Sequence, residues 1–205
     1  MSQPMEQYHD PRRTAFLVHC MQNAIVKGEG PPYYLAPERE RLVHNFARVL
    51  ERTRSLGILV LHVVLERRVD DPDFLFPASD APFSYPFAGP TLLPGTRSAA
   101  IVDEVHPRDD ERVITKPRFG AFYGTPLEHV LRVHGIDTLL IGDMYADLGV
   151  EMTAREAWDR GFRVVVLSDC CGTLSPAAWE RVMAELLPRF AQVRTSDQVL
   201  SLLAR

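Results

Sequence analysis

Short apolar runs alternate along the chain with longer segments whose apolar residues recur at helical spacing. Thr14 to Cys20 (TAFLVHC) is apolar almost throughout, the pattern of a strand covered on both faces. In Pro37 to Leu56, the residues Leu42, Val43, Phe46, Val49 and Leu50 fall on one helical face, with a proline near the start and Gly57 just past the end. Ile58 to Leu65 (ILVLHVVL) predicts a second buried strand. The rhythm returns in the second half. Arg112 to Thr115 predicts a short strand, Pro126 to His134 a helix closed by Gly135, and Thr138 to Gly142 a strand. Gly149 to Arg160 predicts a helix stopped by Gly161, and Phe162 to Leu167 a strand. Pro176 to Phe190 is helical, and Ser196 to Leu203 is a last helix opened by a serine cap. Strands alternating with helices require right-handed crossovers onto a mainly parallel sheet. The expected fold is therefore a three-layer α/β/α domain with ligands at the carboxyl ends of the strands.

The stretch from Glu66 to Arg97 breaks this rhythm. It is too apolar for a disordered linker and too rich in proline for a regular element, so it predicts an ordered loop lying over something. Its Phe74, Phe76, Phe83, Tyr85 and Phe87 suit a lid, a subunit contact, or packing on the domain's own surface. With 205 residues, 46% of them hydrophobic, the chain reads as a single domain, residues 1–205, with residues 1–13 as an N-terminal extension. A net charge of −4 gives no reason to expect nucleic acid or an anionic membrane surface as partner. Small molecules fit better. The start, MSQPMEQYHDPRR, lacks the apolar core of a secretory signal, and no apolar run approaches bilayer-spanning length. Three cysteines at odd spacing suggest neither a disulfide framework nor zinc, and fit a reducing cytoplasm. No histidine pattern predicts a metal site, and no cofactor motif is present.

If ligands bind at strand ends, three places carry the chemistry: Cys20, Lys116, and the turn GDMYADLGVEMTA from Gly142 to Ala154. Lys116 ends an apolar run. Its ammonium either loses pKa to burial or stays charged and stabilises an anion, unless the residue is a surface lysine with a buried stem. The turn runs straight into a helix whose first N–H groups lack partners, a potential oxyanion or carboxylate site; the alternative is an ordinary strand-to-helix connection with Gly149 chosen for shape. Beside Lys116, Cys20 would have a depressed pKa and act as a nucleophile; otherwise it is a small buried hydrophobe. In a regular strand His19 faces away from Cys20, and a direct pair requires the chain to bend there. Cys170 and Cys171, adjacent in SDCCGTLS, are not placed to bridge.

The blocks FLVHCMQNAIV and ITKPRFGAFYGTPLEHVLRVHGIDTLLIGDMYADLGVEMTAREAWDRGFRVVVLSDCCGTLS, in that order, resemble the isochorismatase-like, or cysteine hydrolase, family from Thr14 to about Ser175. The resemblance implies the fold above in an oligomer, a homodimer or homotetramer, that hydrolyses amides, N-carbamoyl compounds or the vinyl ether of isochorismate. Family amidases use an Asp after the first strand, a Lys after the middle strand and a Cys opening the helix after the turn. Lys116 matches the Lys. Cys20 stands in place of the Asp and Gly149 in place of the Cys. Isochorismatases also carry Gly at the second of these positions, in a run that YADLG resembles, and protonate an enol ether with the Asp that is missing here. Asp143 occupies a position where the family usually has Gly, and the family's cis peptide would fall at Met144–Tyr145. The resemblance implies substrate contacts from Gln22, Arg118, Phe122, Met144, Tyr145 and Gly149, with Cys20, Lys116 and Asp147 as working groups.

Three readings follow. A Cys20 thiolate paired with Lys116 replaces the lost nucleophile, with Asp147 or Asp143 as proton donor and the 144–149 backbone as oxyanion donors. Alternatively, Lys116 and an Asp of the turn carry acid–base catalysis on an unusual substrate of specialised metabolism. In the third reading the protein binds a small molecule without turnover. All three predict inactivity toward the family's amides, because loss of both nucleophile and base costs several orders of magnitude in rate.

Overall fold

The computed structural model of the chain describes residues 10–27, 38–67, 92–173 and 175–203. Most of the Glu66 to Arg97 loop, with all five of its aromatic residues named above, lies outside them. Six strands form one parallel sheet in the order β3-β2-β1-β4-β5-β6. They are β1 (Thr14–His19), β2 (Leu59–Leu65), β3 (Arg112–Lys116), β4 (Thr138–Asp143), β5 (Arg163–Cys171) and β6 (Gln192–Arg194). The order reverses direction between β1 and β4. This is the switch point at which open α/β sheets leave a crevice beyond their carboxyl ends.

Helices cover both faces, because the inner strands are apolar on both. Beside the short α1 (Asn23–Val26), α2 (Arg39–Ser55) packs Leu42, Phe46, Val49 and Leu50 against Phe16, Val18 and Val60. The Phe16 and Phe46 rings lie 5.6 Å apart. Gly57, at φ +66°, takes the left-handed turn that stops α2 and returns the chain to β2. The opposite face is covered by α3 (Leu127–Val133), α4 (Glu151–Asp159) and α5 (Pro176–Glu180), over Leu17, Leu61, Leu139 and Val166. α6 (Ser196–Leu203) returns to the α2 side through Val199 and Leu203. The three-layer α/β/α architecture expected from the sequence is the one found. Among the described residues no helix is long and apolar enough to cross a membrane.

Several elements differ from the sequence pattern. Gly149 to Arg160 is not one regular helix: one turn of π-helix, Ala146–Val150, precedes α4. The segment after Pro176 is likewise broken, passing from α5 through a π turn (Arg181–Leu186) to a single 3-10 turn (Leu187–Arg189). Pro188 explains the second break, since it has no N–H to donate to the preceding turn and its ring crowds the carbonyl four residues back. β5 runs on to Cys171, four residues beyond its apolar core, across a register shift opposite Ile141 and Asp143. The three-residue edge strand β6 carries too few residues for an alternation pattern to reveal it.

Candidate active site

β1 ends on His19, and the next residue, Cys20, has φ +52°. That left-handed conformation is uncommon for a residue with a Cβ and interrupts the side-to-side alternation of the strand. Cys20 N–H still donates to Val63 O at 2.8 Å, so the bend begins with the ladder intact. Its consequence is that His19 and Cys20, expected on opposite faces, converge with Asp143 at the end of neighbouring β4. The thiol, a His19 ring nitrogen and an Asp143 carboxylate oxygen all lie within 4.8 Å of one another, and all three residues are buried.

Asp143 is held from two sides. Oδ2 meets His19 Nδ1 at 2.5 Å, and Oδ1 accepts the Tyr145 N–H at 3.2 Å. The peptide bonds of the described residues are all trans, Met144–Tyr145 among them, contrary to the cis bond expected there. The Asp143 carboxylate instead folds back to hold this turn. Burial is the main influence lowering the His19 pKa, and the Lys116 charge adds to it against the pull of Asp143. The ring is therefore neutral at pH 7. With Nδ1 facing a carboxylate, hydrogen-bond logic places the proton on Nδ1 and leaves Nε2 an acceptor. Nε2 is buried without a hydrogen-bond partner.

Lys116, at the end of β3, is not a surface lysine. It is only 1% exposed, and its ammonium donates to Phe119 O at 2.5 Å. Both its charge and that of Asp143 act on the Cys20 thiol, in opposite directions. The expectation of a depressed Cys20 pKa is overturned. Burial, followed by the Asp143 charge, outweighs Lys116 and pushes the thiol up to about 12. Cys20 is a thiol at neutral pH and not a nucleophilic thiolate.

Gly149 lies against this cluster. A Cβ built there would fall inside van der Waals contact with Asp143 Oδ2 and 2.8 Å from His19 Cε1. The place that a side chain at 149 would take is already filled by the His19–Asp143 pair. Asp147, half-buried, has its carboxyl pKa raised by burial and by the charges of Asp143 and Glu151, and its Oδ1 has no hydrogen-bond partner.

The other expected contact residues are scattered. Met144 and Tyr145 are buried and join Cys20 in the core beneath α2. Phe122 is placed in the opposite core, its ring 5.9 Å from that of Phe162 with the Arg160 guanidinium over it, and is not brought to the cluster. Arg118 donates to Pro117 O at 3.0 Å. Gln22 is a strut: its amide nitrogen donates to Leu65 O and Ala99 O at 2.9 and 2.8 Å, and its oxygen accepts Leu65 N–H at 2.8 Å. Its polar atoms tie β2 to the 97–101 segment, which leaves little for a substrate. Sequence reasoning set His19 aside because a regular strand would face it away, and it offered Asp143 only as an alternative to Asp147 for the proton donor, with no link to His19. A carboxylate at a strand end opposite a side-chain-free Gly149 was the available signal.

His19, Cys20 and Asp143 have the donor types of a transition-metal site, and they are the set among the described residues whose donor atoms converge closely enough. The Lys116 ammonium in reach of the same thiol opposes a second cation there. A cavity of about 600 Å³ opens at the carboxyl edge of β5, with Arg41, Ser168, Trp179 and Cys171 in its wall; Lys116 and Tyr145 are not part of that lining. Cys171 is the strand partner of Asp143.

The sequence profile of the Isochorismatase domain matches residues 14–198. The chain is 30% identical over 202 residues to the uncharacterized isochorismatase family protein YecD of Escherichia coli O157:H7, covering 94% of this chain and 97% of that one. It is 29% identical to the isochorismatase of Bacillus subtilis strain 168, over 93% of this chain and 58% of that protein. The structure of an isochorismatase family protein from Burkholderia thailandensis superposes with a TM-score of 0.83 at 28% identity, covering 97% and 98% of the two chains. A profile match over nearly the whole chain, together with the identity to these relatives and the shared fold, shows that the protein belongs to the isochorismatase family.

Proposed function

We propose that the protein is a small-molecule hydrolase that works by proton transfer at the end of β1, β3 and β4, and not through a covalent thiol intermediate. The single observation that carries this reading is the filled space at Gly149: the position of an amidase nucleophile has no side chain and no room for one. Cys20, the thiol of this cluster, has its pKa pushed up to about 12, chiefly by burial, which argues against it as the alternative nucleophile. Buried Lys116 and the carboxyl groups of Asp143 and Asp147 are left as the acid–base groups. Such a set suits an acid-labile bond better than an amide, and the enol ether class that the family resemblance implies is the substrate class we assign. The reading extends to a cytoplasmic homodimer or homotetramer acting in specialised metabolism.

The test is a turnover panel of isochorismate, nicotinamide and N-carbamoyl amino acids. Expected is hydrolysis of the enol ether alone, kept within about tenfold in Cys20→Ala, since no bond to sulfur forms. Amide hydrolysis with a trapped acyl-enzyme on Cys20 would overturn the reading. One observation favours a second reading: Cys20, Lys116 and Asp143 are 5%, 1% and 1% exposed. A site this closed suits a non-catalytic binding protein, which would show ligand-induced thermal stabilisation without turnover.

A further inference from the structure

Three features meet at one point in space. β1 is followed by Cys20, where the resemblance implies a carboxylate, β4 ends on the carboxylate of Asp143, and Gly149 in the following helical turn has no side chain. β1 and β4 are neighbours, with Val18 opposite Gly142, so Asp143 lies one residue past that pairing and alongside His19. Its carboxylate is fixed by His19 Nδ1 and the Tyr145 N–H, and it reaches the thiol of Cys20 whose other neighbour is the Lys116 ammonium. We propose that the functional carboxylate of this site, relative to the pattern the resemblance implies, has been transposed from β1 to β4: Asp143 is the counter-charge of Lys116 when ionised and the proton donor when protonated, His19 is its positioning residue, and Gly149 supplies the space it fills.

The catalytic part of this proposal rests on the hydrolase reading above. In the proton-transfer step, the Asp143 O–H bond breaks and its proton goes to the terminal carbon of the enol ether, whose π electrons form the new C–H bond. The carbon bearing the ether oxygen becomes an oxocarbenium centre. Water adds there and its proton returns to the Asp143 carboxylate. The resulting hemiketal then breaks its bond to the alcohol oxygen, which takes up the hemiketal proton, and leaves a ketone. One water is consumed, one alcohol and one ketone form, and no redox change occurs.

The proposal is tested by moving the carboxylate back. With isochorismate as the probe, Asp143→Asn is expected to lower kcat by about 100-fold or more with KM changed less than about threefold, as for loss of a general acid. Cys20→Asp in the Asp143→Asn background is expected to recover at least about tenfold in kcat. His19→Asn, whose amide can replace Nδ1 as a partner for Asp143, should retain more kcat than His19→Leu at unchanged KM. Wild-type kcat in Asp143→Asn, or no recovery in Cys20→Asp/Asp143→Asn, overturns the proposal and leaves the hydrolase reading in place. If the wild type turns over nothing in the panel, the hydrolase reading fails and the charge relation decides. Asp143→Asn should then lower Tm by several degrees, and Lys116→Met in the same chain should restore it, because the ammonium is no longer left without a counter-charge. An Asp143→Asn protein as stable as wild type, or one not rescued by Lys116→Met, sinks the transposition.

Discussion

Replacing Gly149 by alanine adds one methyl group where the structure has no space for it. The new Cβ would overlap Asp143 Oδ2 and stand 2.8 Å from His19 Cε1. Neither side chain can retreat into solvent, since they are 1% and 0% exposed. Overpacking of this kind costs about 1–3 kcal/mol. Forcing the pair apart also breaks the 2.5 Å His19–Asp143 bond, a buried bond to a charged group of the kind worth another ~1.5–3 kcal/mol. The sum, about 2.5–6 kcal/mol, corresponds to a fall in Tm on the order of 10 °C for a chain of 205 residues. Urea or thermal unfolding followed by circular dichroism measures it. The geometry makes a second, stricter demand. If the clash with Asp143 is the cause, Asp143→Gly must relieve it, so the double variant should be more stable than the sum of the two single effects by about 1–3 kcal/mol. Gly149→Ala within a degree or two of wild type, or an additive double variant, would show that the side chains at 143 and 149 do not compete for one volume.

The Arg54–Glu111–His62 network predicts how stability depends on pH. Burial opposes the charge on Glu111, but the Arg54 fork, the Arg108 N–H and His62 outweigh it and bring its pKa to about 2 from 4.5. Its contribution, about 3 kcal/mol, is fully present above pH 4.5 and is lost as the pH falls toward 2. His62, with its pKa lowered chiefly by burial, acts with the same sign from pH 6.5 downward, because the unfolded chain takes up its proton first. Urea midpoints should therefore decline from neutral pH into acid, and Glu111→Gln should flatten the acid limb; an unchanged acid limb would refute the assignment. Thiol titration tests the cysteines. All three are buried and their pKa values are raised by burial. A disulfide reagent at pH 7.5 should modify none on the minute scale in the native protein and all three after denaturation. Rapid labelling of native Cys20 would contradict its placement.

The fold was legible because period and composition agree along most of the chain. The apolar runs of β1, β2 and β4 leave no polar face, so helices must cover both sides, and Gly57 stops α2 as its position suggests. Legibility failed where a single residue overrides the pattern. Pro188 breaks a helix that hydrophobic spacing alone continues, and the tail of β5 (SDCC) pairs with β4 across a register shift that no periodicity marks. At the candidate site the sequence identified Lys116 and Gly149 by resemblance, and the structure places both at the cluster. It could not give the sign of the Cys20 pKa shift, because that depends on how burial and the charge of Asp143 compare with the charge of Lys116, which is a matter of distance.

The backbone of Cys20 accounts for what the sequence hid about His19. Strand alternation assigns side chains to faces only while φ stays extended, and at Cys20 it does not. A left-handed residue with a Cβ costs on the order of 1–2 kcal/mol, and such strain persists only when surrounding contacts over-determine it. Those contacts are identifiable. Cys20 N–H remains bonded to Val63 O, the carbonyl of Cys20 accepts the Gln22 N–H at 2.8 Å, and the side chain of Gln22 is bonded to both Leu65 and Ala99. The bend is thus clamped on both sides by hydrogen bonds to the neighbouring strand and to the 97–101 segment. Its effect is to turn two adjacent residues toward the same carboxylate, which a straight strand forbids. The conformation of one residue thereby decides whether His19 is a buried bystander or the partner of Asp143, and this explains why the chemistry was hidden in a stretch whose secondary structure was plain.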